Sequence, residues 1–185
     1  MRLPLLYIIT ALLISCVSEK KNQKIQKVKA TNPAPTFNSD SAYVFVEQQV
    51  LFGPRVISSK AWDECSKYLS KKLESYNAEV KIQTAPVTTY DGKNHTLRNI
   101  IASYDPEKNN RVVLFAHWDS RHIADHDTVD TDMPILGAND GGSGVGVLLE
   151  IARQINLKKP KIGIDIIFFD AEDYGQPENS NYPVM

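Results

Sequence analysis

Three clusters of polar residues have the types and spacing of a metal-assisted site. They are His117-Trp118-Asp119-Ser120, then Gly137-Ala138-Asn139-Asp140 followed by Gly141-Gly142-Ser143-Gly144, and finally Asp170-Ala171-Glu172-Asp173. Imidazole and carboxylate donors suit zinc among the divalent ions. Carboxylates massed without a neighbouring cation repel one another, and a divalent metal relieves that repulsion. Each cluster also has a plainer explanation. Asp140, just before a helix start, could serve as that helix's cap, although the glycines around it let backbone approach a bound group closely. Glu172-Asp173 could be solvated loop. His117 could be a satisfied core histidine, or be oriented by Asp119 two residues on. His122, Asp125, His126 and Asp127 form a further polar group, read mainly as loop near the site.

The elements that must position these clusters follow from periodicity. Residues 112–116 form a continuous apolar run bounded by charge, which suits a buried central strand. Residues 162–169 form a second such strand. Between them Val145, Leu148, Leu149, Ala152 and Ile155 recur at helical spacing, and Pro160 stops that helix. Strand, helix, strand is a crossover unit, hence a parallel pair. Upstream, residues 80–85 and 97–104 read as strands joined by the turn Tyr90-Asp91-Gly92-Lys93, a plausible hairpin in the same sheet. Trp62, Cys65, Tyr68, Leu69, Leu73 and Tyr76 mark one face of a helix. A short helix over 41–51 ends at Gly53-Pro54. The predicted fold class is therefore α/β, a mixed and partly parallel sheet flanked by helices. In open sheets of this kind, ligands bind outside the carboxyl ends of the strands, where the three polar clusters fall.

With 185 residues the chain suits one ordinary domain, and its 42% hydrophobic content can supply a core. The net charge of -1, with Lys and Arg scattered, gives no sign of a nucleic-acid partner. The N-terminus reads as a targeting segment: Met1-Arg2, then an apolar run over 3–14 too short to span a bilayer comfortably. The run ends in Leu13-Ile14-Ser15-Cys16, which resembles a bacterial lipobox, with Cys16 the lipidated first residue of the mature protein. An ordinary secretory signal with a chance cysteine is the simpler alternative. Residues 17–40 are polar and rich in Lys, Asn and Pro, and read as a tether. The domain is then expected over 41–185, in the bacterial cell envelope, outside the cytoplasm and anchored to a membrane by lipid. The other cysteine is Cys65, so a disulfide framework is not expected.

The motifs carry a family resemblance. His117-Trp118-Asp119-Ser120, Gly137-Ala138-Asn139-Asp140 and Phe168-Phe169-Asp170-Ala171-Glu172-Asp173 resemble successive motifs of the M28 zinc peptidase clan, and more closely its glutaminyl-peptide cyclotransferase branch. Phe52-Gly53-Pro54-Arg55-Val56, Cys65, Tyr68-Leu69 and Arg98-Asn99-Ile100-Ile101 match that branch too. The resemblance spans residues 50–175 and implies a zinc-exopeptidase-like fold. It also implies an activity: conversion of an N-terminal glutamine of peptides or proteins to pyroglutamate, with release of ammonia, at a single zinc. It implies Asp140 and Asp173 as zinc ligands, the latter where many relatives have Glu, and Glu172 as general acid/base. His117 and Asp119 would support the ligands or serve as alternative ones. If residues 172–173 are extended, they point opposite ways, one to the metal and one to the substrate. The family's third ligand is a histidine well downstream. The last histidine here is His126, and nothing after Gly175 matches, so a truncated chain, inactive by itself, is the expectation. The missing strands would include neighbours of 162–169, leaving that strand an exposed edge. Two other readings stay open: a two-zinc M28 aminopeptidase, and a lipoprotein module without catalysis.

Overall fold

The computed structural model describes residues 34–177. The targeting segment, Cys16 and the tether up to residue 33 lie outside the described residues. Helix α1 (Ser39–Leu51) begins slightly before the expected 41 because Asn38 caps it. The Asn38 side-chain oxygen accepts from the Ser41 N–H at 2.9 Å. Helix α2 (Lys60–Ser75) is capped by Ser59, whose hydroxyl accepts from the Trp62 N–H at 3.1 Å. Its apolar stripe of Trp62, Cys65, Leu69 and Leu73 is buried as the spacing requires. Burial pushes the Cys65 thiol up to about 12, so it packs as a neutral apolar group.

Strands β1 (Glu79–Thr88) and β2 (Asn94–Tyr104) form the expected antiparallel hairpin. Its turn is closed by Thr89 N–H to the Lys93 carbonyl at 2.9 Å. Strand β3 (Arg111–His117), helix α3 (Gly142–Leu157) and strand β4 (Gly163–Phe169) form the expected crossover unit. β3 and β4 run parallel, from Arg111 opposite Gly163 to His117 opposite Phe169. β2 pairs antiparallel with β4, which makes a mixed sheet in the order β1-β2-β4-β3.

That order corrects two expectations. The strand over 162–169 is not an edge: β4 is paired on both sides, by β2 and β3. Among the described residues the strand over 112–116 is not central: β3 is their outer strand, with Val113 51% and Phe115 68% exposed. An apolar run reports that a strand wants cover, but not from which side the cover comes.

The register puts Ile100, Ala102 and Tyr104 beside Phe168, Ile166 and Ile164, and these beside Ala116, Leu114 and Val112. This face joins α2 and α3 in one core with Trp62, Leu69, Leu73, Val145 and Leu149. α1 lies on α3 across Gly146, where a Cβ would sit 2.7 Å from Val46 Cγ2 and 2.8 Å from the Ala42 carbonyl oxygen. Only glycine allows that crossing. The opposite face carries Ile101, Ile167, Phe169, Val113 and Phe115, and no helix among the described residues covers it. Phe115 and Phe169 meet there edge to face, with ring centroids 5.8 Å apart.

Candidate metal centre

The parallel pair ends at His117 and Phe169, so the loops after β3 and β4 leave the sheet side by side. Trp118 extends the ladder by one bond, its N–H donating to the Phe169 carbonyl at 2.9 Å. The Trp118 indole is fully buried, stacks on Trp62 at 5.8 Å and donates to the Arg98 carbonyl at 3.1 Å. This anchors the loop that carries Asp119 and Ser120.

After β4, Asp170 turns inward. Both its carboxylate oxygens accept from the Trp62 indole N–H, at 3.0 and 2.9 Å, and one also accepts from the Arg98 N–H at 2.7 Å. Burial pushes its carboxyl up to about 6, against those hydrogen bonds. The next residue, Ala171, adopts a left-handed backbone with φ 62°. Residues 171–173 therefore form a turn rather than the extended stretch expected. The turn leaves the Glu172 side chain 63% exposed and brings Asp173 back inside. Asp173 is fixed there by its N–H, which donates to Asp119 Oδ2 at 3.0 Å.

The glycine-rich segment supplies Asp140. The Gly142 N–H donates to the Gly137 carbonyl at 3.1 Å and closes a tight turn around it. The cap of α3 is Gly141, with no side-chain capping bond, so the helix-cap explanation of Asp140 fails. Gly141 has φ 77°, and a Cβ there would lie 2.8 Å from the Asp119 carbonyl oxygen and 2.9 Å from the His117 ring. The absent side chain is what lets the loop close against His117. Gln49 of α1 holds the start of α3 from behind, donating to the Gly142 carbonyl at 3.0 Å.

Asp140 Oδ1 lies 2.9 Å from His117 Nε2, and His117 Nδ1 faces Asp119 Oδ1 at 3.5 Å and Glu172 Oε2 at 3.8 Å. Asp119 first, then Glu172 and Asp140, raise the His117 imidazole to about 9. Burial, with Asp140 and Asp119 nearby, raises the Asp173 carboxyl above its ordinary value. His117, Asp140 and Asp173 each offer a ligand atom, all within 4.8 Å of one another. Two ~2.1 Å bonds at a tetrahedral angle put ligands ~3.4 Å apart, so small rotations separate this arrangement from a ligating one. His117 Nδ1, Asp119 Oδ1 and Asp173 Oδ2 are buried without a hydrogen-bond partner. Unsatisfied buried polar groups are costly, and a cation here would give the Asp119 and Asp173 carboxylate oxygens a partner. The donor set therefore fits a divalent metal.

Sequence spacing placed His117, Asp119, Asp140, Glu172 and Asp173 at one site, and the structure brings them together. The 122–127 group stays outside the metal-capable set. His122 stacks on Tyr174 at 3.9 Å, and Asp125 takes both Arg121 Nε and NH2 at 2.6 and 2.5 Å. Arg121 in turn donates to the Asp173 carbonyl at 3.3 Å. Arg55, part of the Phe52–Val56 motif, is buried beneath the site. Its partners are backbone carbonyls, which leave no trace in a residue pattern.

Residues 99–181 match the model of Peptidase family M28. A Zn-dependent exopeptidase from Parabacteroides distasonis superposes with a TM-score of 0.80 at 55% identity, over 82% of this chain and 53% of that one. The glutaminyl cyclase of Tannerella forsythia superposes with a TM-score of 0.78 at 56% identity, over 80% of this chain and 52% of that one. The glutaminyl-peptide cyclotransferase of Drosophila melanogaster is 28% identical over 129 residues, 65% of this chain and 33% of that one. The chain thus spans about half the length of these solved relatives and about a third of the curated one. The fold is that of the zinc exopeptidases; residues 99–181, which include His117, Asp140 and Asp173, match the M28 model, and bacterial glutaminyl cyclases are among the near structural relatives.

Proposed function

We propose that the chain carries the metal half-site of a glutaminyl-peptide cyclotransferase. The observation that carries this is the exposed Glu172 beside the metal-capable group of His117, Asp140 and Asp173, in a chain 56% identical to a glutaminyl cyclase. In the reaction the peptide's α-amine attacks the γ-amide carbon of its own N-terminal glutamine. A C–N bond forms, closing the five-membered lactam, and the bond to the amide nitrogen breaks to release ammonia. Asp140 and Asp173 would hold one zinc ion, with His117 orienting Asp140. When bound, zinc acts as a Lewis acid on the amide oxygen. Glu172 takes the proton from the attacking amine and delivers it to the leaving nitrogen. Asp119 fixes Asp173 through its backbone N–H and stays off the substrate. The substrates are peptides or proteins with N-terminal glutamine.

The membership of His117 in the metal-capable group favours a second reading, a two-zinc aminopeptidase in which His117 ligates and Asp140 bridges. Products and metal count separate the two. In a version extended to the length of its solved relatives, given a glutamine-leading peptide and zinc, the first reading requires a pyroglutamyl peptide and ammonia. Free glutamine, with two zincs per chain, would replace it by the second.

For location, the proposal is a lipid-anchored, extracytoplasmic protein of the bacterial cell envelope, carried by the residues up to Cys16. Among the described residues no helix is long and apolar enough to cross a membrane. Labelling cells with a radioactive fatty acid tests this: label on the wild type, and none on Cys16→Ser, is the expected result.

A further inference from the structure

Arg55 is the deepest charged group near the site, with 0% exposure. Among the described residues its guanidinium makes no bond to a carboxylate. Nε donates to the Trp118 carbonyl at 2.9 Å, NH1 to the Leu136 carbonyl at 2.8 Å and NH2 to the Gly137 carbonyl at 2.8 Å. Its own N–H donates to Ser120 Oγ at 2.8 Å, and its carbonyl accepts from the Ser120 N–H at 3.3 Å. These contacts reach both loops that build the metal-capable group. Trp118 and Ser120 flank Asp119 next to His117. Gly137 opens the turn that ends at Gly142 and holds Asp140, and its carbonyl accepts from Arg55 and Gly142 together.

A buried guanidinium is expensive to desolvate, and burial lowers the pKa of Arg55 from its ordinary value, with Cys65, Asp119 and Asp173 acting against that. A chain needing only a packed loop junction would fill this place with apolar side chains at lower cost. What a planar fork adds is direction: three donors at fixed angles hold three carbonyls in fixed relation.

We propose that Arg55 is a positioning residue of the metal half-site, setting the distance between the Asp140 turn and the His117–Asp119 strand end. The proposal rests on the metal reading above. Asp140 depends on Arg55 through the Gly137 carbonyl, and His117 and Asp119 depend on it through Trp118 and Ser120. Arg55→Lys keeps the charge and loses the fork, so the two loops keep their fold but lose their register.

The test is a cobalt(II) titration of the full 185-residue chain, wild type, Arg55→Lys, Ser120→Ala and Asp140→Asn, with thermal unfolding of each metal-free protein alongside. Cobalt(II) visible absorption reports ligand geometry as well as occupancy. Wild type is expected to bind and Asp140→Asn to lose binding. Arg55→Lys should bind roughly 10–100-fold more weakly, as for groups that orient ligands, with an altered spectrum. Ser120→Ala, which frees the buried Arg55 N–H and keeps the guanidinium, should weaken binding in the same direction and lower the melting temperature while leaving the metal-free protein folded. It carries the test should Arg55→Lys fail to fold. Wild-type affinity and spectrum in a folded Arg55→Lys, or in Ser120→Ala where Arg55→Lys does not fold, would overturn the proposal and leave the metal site standing. Absence of binding by wild type, or equal binding by Asp140→Asn, would instead sink the metal reading and the proposal with it.

Discussion

At the residue scale, the acidic pair after β4 divides its labour by a turn. Glu172 is exposed beside His117 while Asp173 is drawn in by Asp119. Glu172→Gln removes the proton carrier and leaves the other groups in place. In any version of the protein that turns over, cyclisation should fall roughly 10²–10⁴-fold, with bound zinc unchanged by metal analysis. Zinc lost while turnover survives would mean that the two acids have exchanged roles. The same turn forces Ala171 to φ 62°. A side chain there costs about 1 kcal/mol, so Ala171→Gly should raise stability by about that much in urea unfolding. The acids and His117 were legible in the sequence because their types and spacing are the chemistry. Arg55 and Asp170 were not, because their work is done on backbone carbonyls and on an indole 108 positions away in the chain.

At the element scale, helices α2 and α3 and the β1–β2 hairpin follow from period and turn chemistry, and the parallel pairing of β3 with β4 follows from the crossover. The place of each strand within the sheet did not. β3 and β4 are similarly apolar, and order is set by which strand finds partners on both sides, a long-range outcome that a local run does not encode. The tie between α2 and the end of β4 is also invisible locally. Trp62 satisfies both oxygens of buried Asp170, so Trp62→Phe leaves that carboxylate short of a donor. A loss of about 1–3 kcal/mol is expected, read from the urea midpoint. A change within ~0.5 kcal/mol would show that the bond is not what holds the turn.

At the scale of the whole molecule, the sheet formed by the described residues has one face under helices and, among those residues, one bare. Val113, Phe115 and Phe169 make an apolar patch next to an unpaired β3 edge, the combination that promotes strand-to-strand association. The 185-residue chain should therefore self-associate as concentration rises in sedimentation velocity. Phe115→Lys should suppress this while leaving the unfolding free energy within ~0.5 kcal/mol. A wild-type chain monomeric at all concentrations would show the patch to be harmless. The fold class was legible from the order of the elements, but which face lies bare was not, since it depends on where three separate helices dock. The stacked pair under the site has an optical consequence. Trp62 and Trp118 are the only two tryptophans in the chain. They lie 5.8 Å apart, and one is bonded to a carboxyl that ionises near pH 6. The protein's tryptophan fluorescence, excited apart from its eight tyrosines, therefore comes wholly from the floor of the candidate metal centre, so emission recorded across that pH watches Asp170 gain or lose its proton without any added label.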